Sequence, residues 1–284
     1  MYYLLFFLPL TLSCRILSLS GGGSYGAFEV GVITKLIDDN KGQWDFITGV
    51  SAGSLNAYYL STIPIEEEKE ASKSFKSLWT SINNNDIYSL KFFLNGESVF
   101  DTTPLRKTLI KLFSNRKVVR NIQVSATSLS LGEQVVFNET DLKINPIDIL
   151  MSSSAIPLLF PPIPFQNDFF VDGGLSGNIL IDEPIMRCKD KSIEIDVIIC
   201  GKAMISDNFH TKPSLPVLVE RLVQLVVRQV EYYELNERVL ANKNLKINLY
   251  EMEDKRSFFS MIDFNNAESM FNEGYNNYKL TVFQ

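Results

Sequence analysis

The chain has 284 residues, of which 45 % are hydrophobic, so it can bury a large core in one domain or two. Its formal net charge is −6, from 27 lysines and arginines against 33 aspartates and glutamates. Because basic side chains drive binding to phosphates, this charge argues against nucleic acid as the main partner and against electrostatic recruitment to anionic lipid.

The first twelve residues are almost wholly apolar. A helix that spans a bilayer needs about 20 such residues, so this stretch is too short to span one. Residues 1–14 are therefore predicted to be a signal peptide or another apolar N-terminal segment, followed by a single domain at 15–284. A signal peptide predicts a protein that is secreted or in the endomembrane lumen, whereas an apolar anchor predicts a cytoplasmic protein bound peripherally to a membrane.

Apolar runs and helical patterns alternate along residues 15–284, which predicts an α/β fold whose sheet has helices on both faces. The predicted strands, in chain order, are 16–19, 46–48, 121–126, 135–138, 169–171, 195–200 and 245–249. The predicted helices are 25–39, 54–59, 66–81, 103–113, 146–154, 215–241 and 267–278. The motifs described next fall in a core at 15–202, and the C-terminal portion at 203–284 is predicted to be helical.

A glycine-rich turn follows the first predicted strand and contains Gly21, Gly22, Gly23 and Gly26. Because an apolar helical pattern comes next, the backbone N–H groups of this turn are expected at a helix N-terminus, where they can bind an oxyanion. A dinucleotide-binding turn has the same glycine spacing, but it needs an acidic residue at the end of the second strand. Asp45 begins that strand instead, which argues against nucleotide binding.

A second glycine-rich turn, Gly49-Val50-Ser51-Ala52-Gly53, follows the second predicted strand and precedes a helix. This is the pattern of a nucleophile elbow, in which a serine stands on a strained corner and small neighbours prevent a steric clash. The alternative is a tight turn whose small residues only permit close packing. The neighbouring glycine turn favours the nucleophile.

Asp172 stands at the end of an apolar strand and is followed by Gly173 and Gly174. Its position predicts a general base for Ser51, although it could instead be a turn residue that caps local N–H groups. The one histidine of the chain, His210, lies in a polar, loop-like stretch and is predicted not to be catalytic. A triad of the α/β-hydrolase type has this residue order, but too few strands precede the elbow for that fold.

Together with these turns, the segments 44–57, 100–105, 124–129 and 153–162 resemble the patatin-like phospholipases, a family of lipid acyl hydrolases with a Ser–Asp dyad. The resemblance covers the chain from about residue 15 to the C-terminus. It implies a patatin-like three-layer sandwich, with a central, mostly parallel sheet between helices.

Carried over position by position, the resemblance implies that Ser51 is the nucleophile and Asp172 its base. It implies that the oxyanion hole is formed by the backbone of Gly21, Gly22 and Gly23. The glycines at 26, 49, 53, 173 and 174 support the motifs.

Three further positions relate to the family pattern. Asn178 matches the polar residue that follows the Asp-Gly-Gly turn. The family usually carries arginine or lysine where this chain has Tyr25, and commonly proline where it has Leu180.

These observations predict a serine carboxylic-ester hydrolase of the phospholipase A or lysophospholipase type. It is expected to cleave fatty-acyl esters of phospholipids or related glycerolipids through an acyl-enzyme, at a membrane or micelle surface, with no metal and no cofactor. The alternative, suggested by Tyr25, is a catalytically weak or inactive lipid-binding protein of the same fold. Two apolar, loop-like segments at 91–94 and 158–165 suit either an acyl-chain entrance or the core.

The three cysteines, Cys14, Cys188 and Cys200, do not form a disulfide framework. If Cys14 lies at the edge of a signal peptide, Cys188 and Cys200 could pair in an oxidising compartment. Buried thiols are the alternative.

Overall fold

The structure is a computed structural model that describes residues 13–90, 98–188, 191–200, 235, 237–238, 240–242, 244–252 and 258–284. The strands are β1 Ser13–Leu19, β2 Phe46–Val50, β3 Ser89–Leu90, β4 Phe100–Asp101, β5 Asn121–Ser128, β6 Gln134–Asn138, β7 Ile163–Phe165, β8 Asp168–Asp172, β9 Ser192–Ile199, β10 Leu245–Met252 and β11 Tyr278–Phe283. The helices are α1 Gly26–Asp38, α2 Ala52–Ser61, α3 Glu68–Thr80, α4 Asn84–Ile87, α5 Thr103–Phe113, α6 Glu139–Ile144, α7 Pro146–Ser153, α8 Asp182–Arg187 and α9 Ala267–Asn276.

Among the described residues, the main sheet has nine strands in the order β11-β10-β9-β1-β2-β5-β8-β7, and β6 also pairs with β5. The strands β10, β9, β1, β2 and β5 are parallel to one another, whereas β11, β6, β8 and β7 pair antiparallel with their neighbours. The predicted mostly parallel sheet is therefore confirmed. Strand β2 is buried along its whole length, and so are the last five residues of β9, as expected where both faces of a sheet are covered.

Two apolar clusters lie on opposite faces of the sheet. Because side chains alternate across a strand, Leu17 and Leu19 of β1 point into the larger cluster and Ile16 into the smaller one. Helices α1, α2, α3, α5, α7 and α9 contribute to the larger cluster, and Ile185 of α8 packs against the smaller one. The sheet is flanked by helices on both faces, as predicted.

The C-terminal portion contains strands as well as helix. Helix α9 confirms the predicted helix 267–278 apart from its last two residues, and β10 confirms the predicted strand 245–249. Strand β11 was not predicted. Its residues are all at least partly exposed at the sheet edge, so no buried apolar run marks it. The predicted helix 215–241 lies mostly outside the described residues.

The alternative in which Cys188 pairs with Cys200 is wrong, and Cys188 is not a thiol, because Cys14 and Cys188 form a disulfide with their Cα atoms 6.0 Å apart. Cys188 precedes the eight-residue strand β9 and Cys200 follows it. The two therefore flank opposite ends of a strand ~26 Å long, far beyond disulfide reach. Cys14 lies within β1, which pairs directly with β9. The Cys200 thiol donates to the Tyr25 carbonyl at 3.3 Å.

Within the described residues, no helix combines the length and the apolar character needed to span a membrane.

Candidate active site

Strand β5 brings Ser51 and Asp172 together. Strand β2 runs parallel to β5 and pairs Val50 with Ser125, whereas β8 runs antiparallel and pairs Asp172 with Ala126. Because β6 occupies the other edge of β5 along these residues, β2 and β8 share one edge and meet end to end. Ser51, the first residue after β2, therefore lies next to Asp172, the last residue of β8.

Ser51 lies in a sharp turn between β2 and α2. Its backbone has φ 53° and ψ −124°, a left-handed conformation that is strained for a residue with a side chain. Its amide donates to the Ser153 hydroxyl at 2.9 Å, and its carbonyl accepts from the Ser54 amide at 2.9 Å. The strained conformation is thus held from both sides, as a nucleophile elbow requires.

Three motif glycines permit close backbone contacts. A Cβ atom on Gly49 would lie 2.2 Å from the Gly53 carbonyl oxygen, and one on Gly53 would lie 2.5 Å from the Leu19 carbonyl oxygen. A Cβ atom on Gly173 would lie 2.5 Å from the Ser125 carbonyl oxygen. Larger residues at these positions would separate α2 from β1, or the turn after Asp172 from β5.

The Asp172 carboxylate accepts a hydrogen bond from the Gly174 amide at 2.9 Å, and the Ser51 hydroxyl lies beside the same carboxylate. Its backbone is held by the Ala155 carbonyl and the Thr127 hydroxyl, each at 2.9 Å. Burial raises the pKa of Asp172 to about 6, although the neighbouring Ser51 hydroxyl and the Gly174 amide act in the opposite direction. A carboxylate with a pKa near neutrality is suited to accept a proton.

The first glycine turn lies against the Ser51 side chain. A Cβ atom on Gly21 would lie 2.9 Å from the Ser51 Cβ, and the Gly21 amide donates to Oδ1 of Asn178 at 2.7 Å. Asn178 therefore fixes the beginning of the turn beside the serine. Gly22 follows, and Gly23 has a left-handed φ of 57° and lines a pocket together with Ser51.

This pocket extends from Ser51 between α2, α3 and α5 and is mainly apolar. Its wall includes Leu78, Leu105, Leu109 and Phe160. No charged side chain lines it within the part of the chain that the structure describes. Of the segment 158–165, Phe160 lines this pocket and also belongs to the larger apolar cluster, whereas the segment 91–94 lies outside the described residues.

A buried polar network stands behind the pocket wall. The Asn56 side chain donates to Glu29 at 2.8 Å and accepts from the Trp79 indole at 2.7 Å. Burial raises the pKa of Glu29 well above its usual range. Gly26 fits beside the same indole, because a Cβ there would lie 2.4 Å from the Trp79 ring.

Two contributions to the site were not predicted. Ser153 holds the elbow amide, but a serine near the end of a helix carries no sequence signal for that contact. The pocket face of α5 has apolar residues at helical spacing, Leu105, Leu109 and Leu112, which predicts a buried face without saying that it borders a pocket.

His210 lies outside the described residues, so its predicted absence from the site remains a prediction. Across the described residues, no three side chains of His, Cys, Asp or Glu are grouped so that they could hold a metal ion.

A sequence model of the patatin-like phospholipases matches residues 17–185. The chain is 26 % identical over 238 residues to a cGAMP-activated phospholipase of Escherichia coli strain TW11681, across 71 % of this chain and 65 % of that protein. It is 26 % identical over 194 residues to a cGAMP-activated phospholipase of Vibrio cholerae, across 58 % of this chain and 54 % of that protein. It is 28 % identical over 183 residues to the probable lipid hydrolase 463L of Invertebrate iridescent virus 6, across 59 % and 62 %.

The chain therefore spans between about half and two thirds of the length of these relatives. Among solved structures, the crystal structure of VipD from Legionella pneumophila aligns with 94 % of this chain and 68 % of that chain, with a TM-score of 0.43 and 13 % identity. The relatives are named as hydrolases of lipids, and the family match covers more than half of the chain, including both glycine turns and the Asp-Gly-Gly turn. The chain belongs to the patatin-like phospholipase family.

Proposed function

We propose that this protein is a lipid acyl hydrolase that cleaves fatty-acyl esters of phospholipids, lysophospholipids or related glycerolipids. The observation that carries the proposal is that strand pairing places Ser51 beside the buried Asp172 carboxylate, at the end of an apolar pocket. A hydroxyl group, a carboxylate that could act as its base and an apolar pocket that could hold a hydrocarbon chain lie side by side, which supports the proposal.

The reaction uses the two side chains in succession. Asp172 accepts the hydroxyl proton of Ser51 while the serine oxygen attacks the acyl carbonyl carbon. The oxyanion is bound by the amides of Gly22 and Gly23, since the Gly21 amide is already engaged by Asn178. Asp172 then protonates the departing alcohol. Water, deprotonated by Asp172, hydrolyses the acyl-enzyme, which releases the fatty acid and restores Ser51.

The character of the pocket supports an acyl chain as its occupant. A fatty-acyl chain gains free energy by leaving water for an apolar wall, and it offers no group that would need a charged partner. The polar headgroup would remain outside this pocket.

A lipid surface is the proposed partner of the whole molecule. Leu129 and Leu131 in the turn after β5, and Phe169 in β8, are 53 %, 67 % and 56 % exposed. Strand β5 extends three residues beyond Ser125, which pairs with the end of β2, so this turn projects ~10 Å past the level of Ser51. Exposed apolar side chains near the strand ends that carry the site are suited to enter a lipid surface.

The experiment is fatty-acid release from a panel of phospholipids and soluble short-chain esters. We expect Ser51→Ala and Asp172→Asn to lose at least ~1000-fold in kcat/KM, because each removes a group that takes part in the bond changes. His210→Ala, and Ser77→Ala on the exposed face of α3, should remain active. Full activity in Ser51→Ala would overturn the assignment. Vesicle binding without any release by the unmutated protein would favour the inactive lipid-binding alternative.

A further inference from the structure

The glycine turn is tied to a segment near the C-terminus, residues 260–264. The Ser24 hydroxyl donates to the Ser260 carbonyl at 2.8 Å, and the hydroxyl groups of Tyr25 and Ser260 hydrogen-bond to each other. A Cβ atom on Gly23 would lie 2.3 Å from the Met261 carbonyl oxygen. The two backbones are therefore in direct contact beside the proposed oxyanion site.

The other end of this segment is anchored to α4 and to Tyr88, the residue after it. The Tyr88 hydroxyl donates to the Ile262 carbonyl at 2.8 Å, and the Phe264 amide donates to Oδ1 of Asn84 at 2.7 Å. The Phe264 side chain lines the pocket. Residues 260–264 thus form a fixed support rather than a free tail, since they are bonded on both sides.

Such a support has a clear physical role. Glycine allows a wide range of backbone conformations, so three successive glycines do not hold their own amides in one direction. An oxyanion hole stabilises the transition state only if its donors are already oriented. Asn178 holds the turn at Gly21, and the contact between Tyr25 and Ser260 holds it at the opposite end.

The residue types at this contact fit one another. Tyr25 is only 5 % exposed and faces the neutral hydroxyl of Ser260. A buried arginine or lysine, the usual residue of the family here, would need an anionic partner to offset its desolvation. Tyrosine keeps a hydrogen bond without burying a charge. The partner segment lies outside the residues 17–185 that match the family, so this contact belongs to the chain's own C-terminal part.

We propose that Tyr25 and Ser260 are positioning residues that orient the amides of Gly22 and Gly23 for the oxyanion. This inference rests on the proposed function, because it assigns a role within the same reaction.

The test compares Tyr25→Phe, Ser260→Ala and the double variant on a soluble short-chain ester. The concentration of reactive Ser51 is titrated with a fluorophosphonate, so that misfolded protein does not count. Loss of the hydrogen bond between Tyr25 and Ser260 should lower kcat per titrated serine ~10-fold and leave KM within about twofold. The reason is that the oriented amides act on the negative charge of the oxyanion, which develops only in the transition state. The double variant should be no worse than either single variant, since both remove the same bond.

Two controls isolate the contact. Ser260→Thr keeps the hydroxyl group and should retain kcat. Tyr275→Phe removes a phenol hydroxyl that donates to Asp38, away from the site, and should also retain kcat. In a Ser51→Ala background, hydrogen exchange of the peptide covering residues 20–26 should speed up in Tyr25→Phe.

The outcomes separate the two hypotheses. If the unmutated protein hydrolyses the ester and both single variants stay within twofold of its kcat, the positioning role is overturned. If the unmutated protein hydrolyses nothing, the proposed function fails. Hydrogen exchange then decides whether the contact orders the turn, and unchanged exchange in Tyr25→Phe overturns that role as well.

Discussion

Asp168 and Asp172 lie at the two ends of the short strand β8, and folding shifts their pKa values in opposite directions. Burial raises the pKa of Asp172 to about 6. Hydrogen bonds from Ser128, Ser130 and the Phe169 amide lower the pKa of the solvent-facing Asp168 to about 2. One five-residue strand therefore carries two different carboxylates. Asp172 accepts a proton readily, whereas Asp168 stays ionised and holds a turn through its hydrogen bonds.

The pH dependence of the reaction should report the pKa of Asp172. Only the ionised carboxylate can accept the Ser51 proton, so kcat/KM should rise about tenfold per pH unit below the pKa and level off above pH 7, with a midpoint near 6. A profile on a soluble ester between pH 4.5 and 8.5 measures this. A midpoint near pH 4 would contradict the effect of burial.

The ionisation of Asp172 should also change the free energy of unfolding with pH, in a direction that its pKa shift predicts. Folded Asp172 has a pKa of about 6, against 3.8 for an unperturbed group, so the stabilisation from its protonation is complete below pH ~4 and is lost as the pH rises through 6. At pH 8, Asp172→Asn should raise the free energy of unfolding by up to ~3 kcal/mol, and this gain should shrink toward pH 4. Urea denaturation at both pH values measures the difference.

Asp168→Asn is the matched comparison from the same strand. The low folded pKa of Asp168 gives stability that is present above pH ~4 and lost as the pH falls toward 2. This variant should therefore be less stable than the unmutated protein at pH 8. If Asp168→Asn and Asp172→Asn change the free energy of unfolding in the same direction at pH 8, the direction of the pKa shift is wrong for one of the two carboxylates.

Among the secondary-structure elements, β5 is the one that builds the site. It pairs with β2 and then, one residue later on the same edge, with β8. The elbow depends equally on α2 approaching the end of β1, since Gly53 touches the Leu19 carbonyl. The site is therefore sensitive to the spacing between these elements.

Gly53→Ala should destabilise the protein by ~3 kcal/mol and abolish hydrolysis. The new methyl group would lie 2.5 Å from two backbone carbonyl oxygens, and these can move only if the whole backbone segment shifts. Thermal unfolding and esterase activity measure the two effects. Gly177→Ala is the control, since its methyl group would meet only the end of the Gln134 side chain, at 2.8 Å. Equal stability of the two variants would contradict the packing argument.

At the scale of the whole molecule, we expect the proposed contact with lipid to be apolar rather than electrostatic. The formal charge of −6 offers no general attraction to anionic membranes. Asp168 accepts hydrogen bonds from Ser128, from Ser130 and from the Phe169 amide. These bonds hold the turn that carries Leu129 and Leu131 in one conformation.

Leu131→Ser combined with Phe169→Ser should reduce binding to neutral phosphatidylcholine vesicles at least tenfold, since each side chain gains ~2 kcal/mol on leaving water. Hydrolysis of a soluble ester should not change. Ile144→Ser is the control, because Ile144 is 80 % exposed at the end of α6, and α6 follows β6, which runs antiparallel to β5 and so away from the turn after β5. Vesicle flotation with a Ser51→Ala background measures binding alone. Equal binding by both variants would exclude this turn from the lipid contact.

Much of the site could be read from short stretches of sequence, because glycine's steric freedom and the strand before a turn are local properties. Ser51, Asp172 and the first glycine turn were all found in this way, and the structure brings them together. Edge strand β11 and the Cys14–Cys188 disulfide were missed. Both depend on where distant segments lie in the sheet, which no local pattern contains.

The sequence alone determined the alternation of apolar and helical segments, and with it the α/β class and the residue types available for chemistry. Only the tertiary structure decided that Asp172 meets Ser51 at the junction on β5, that burial moves its pKa to about 6, and that Ser260 contacts the glycine turn. The physical reason is the range of each effect. Backbone sterics act over a few residues, whereas strand register and desolvation depend on the whole packed sheet.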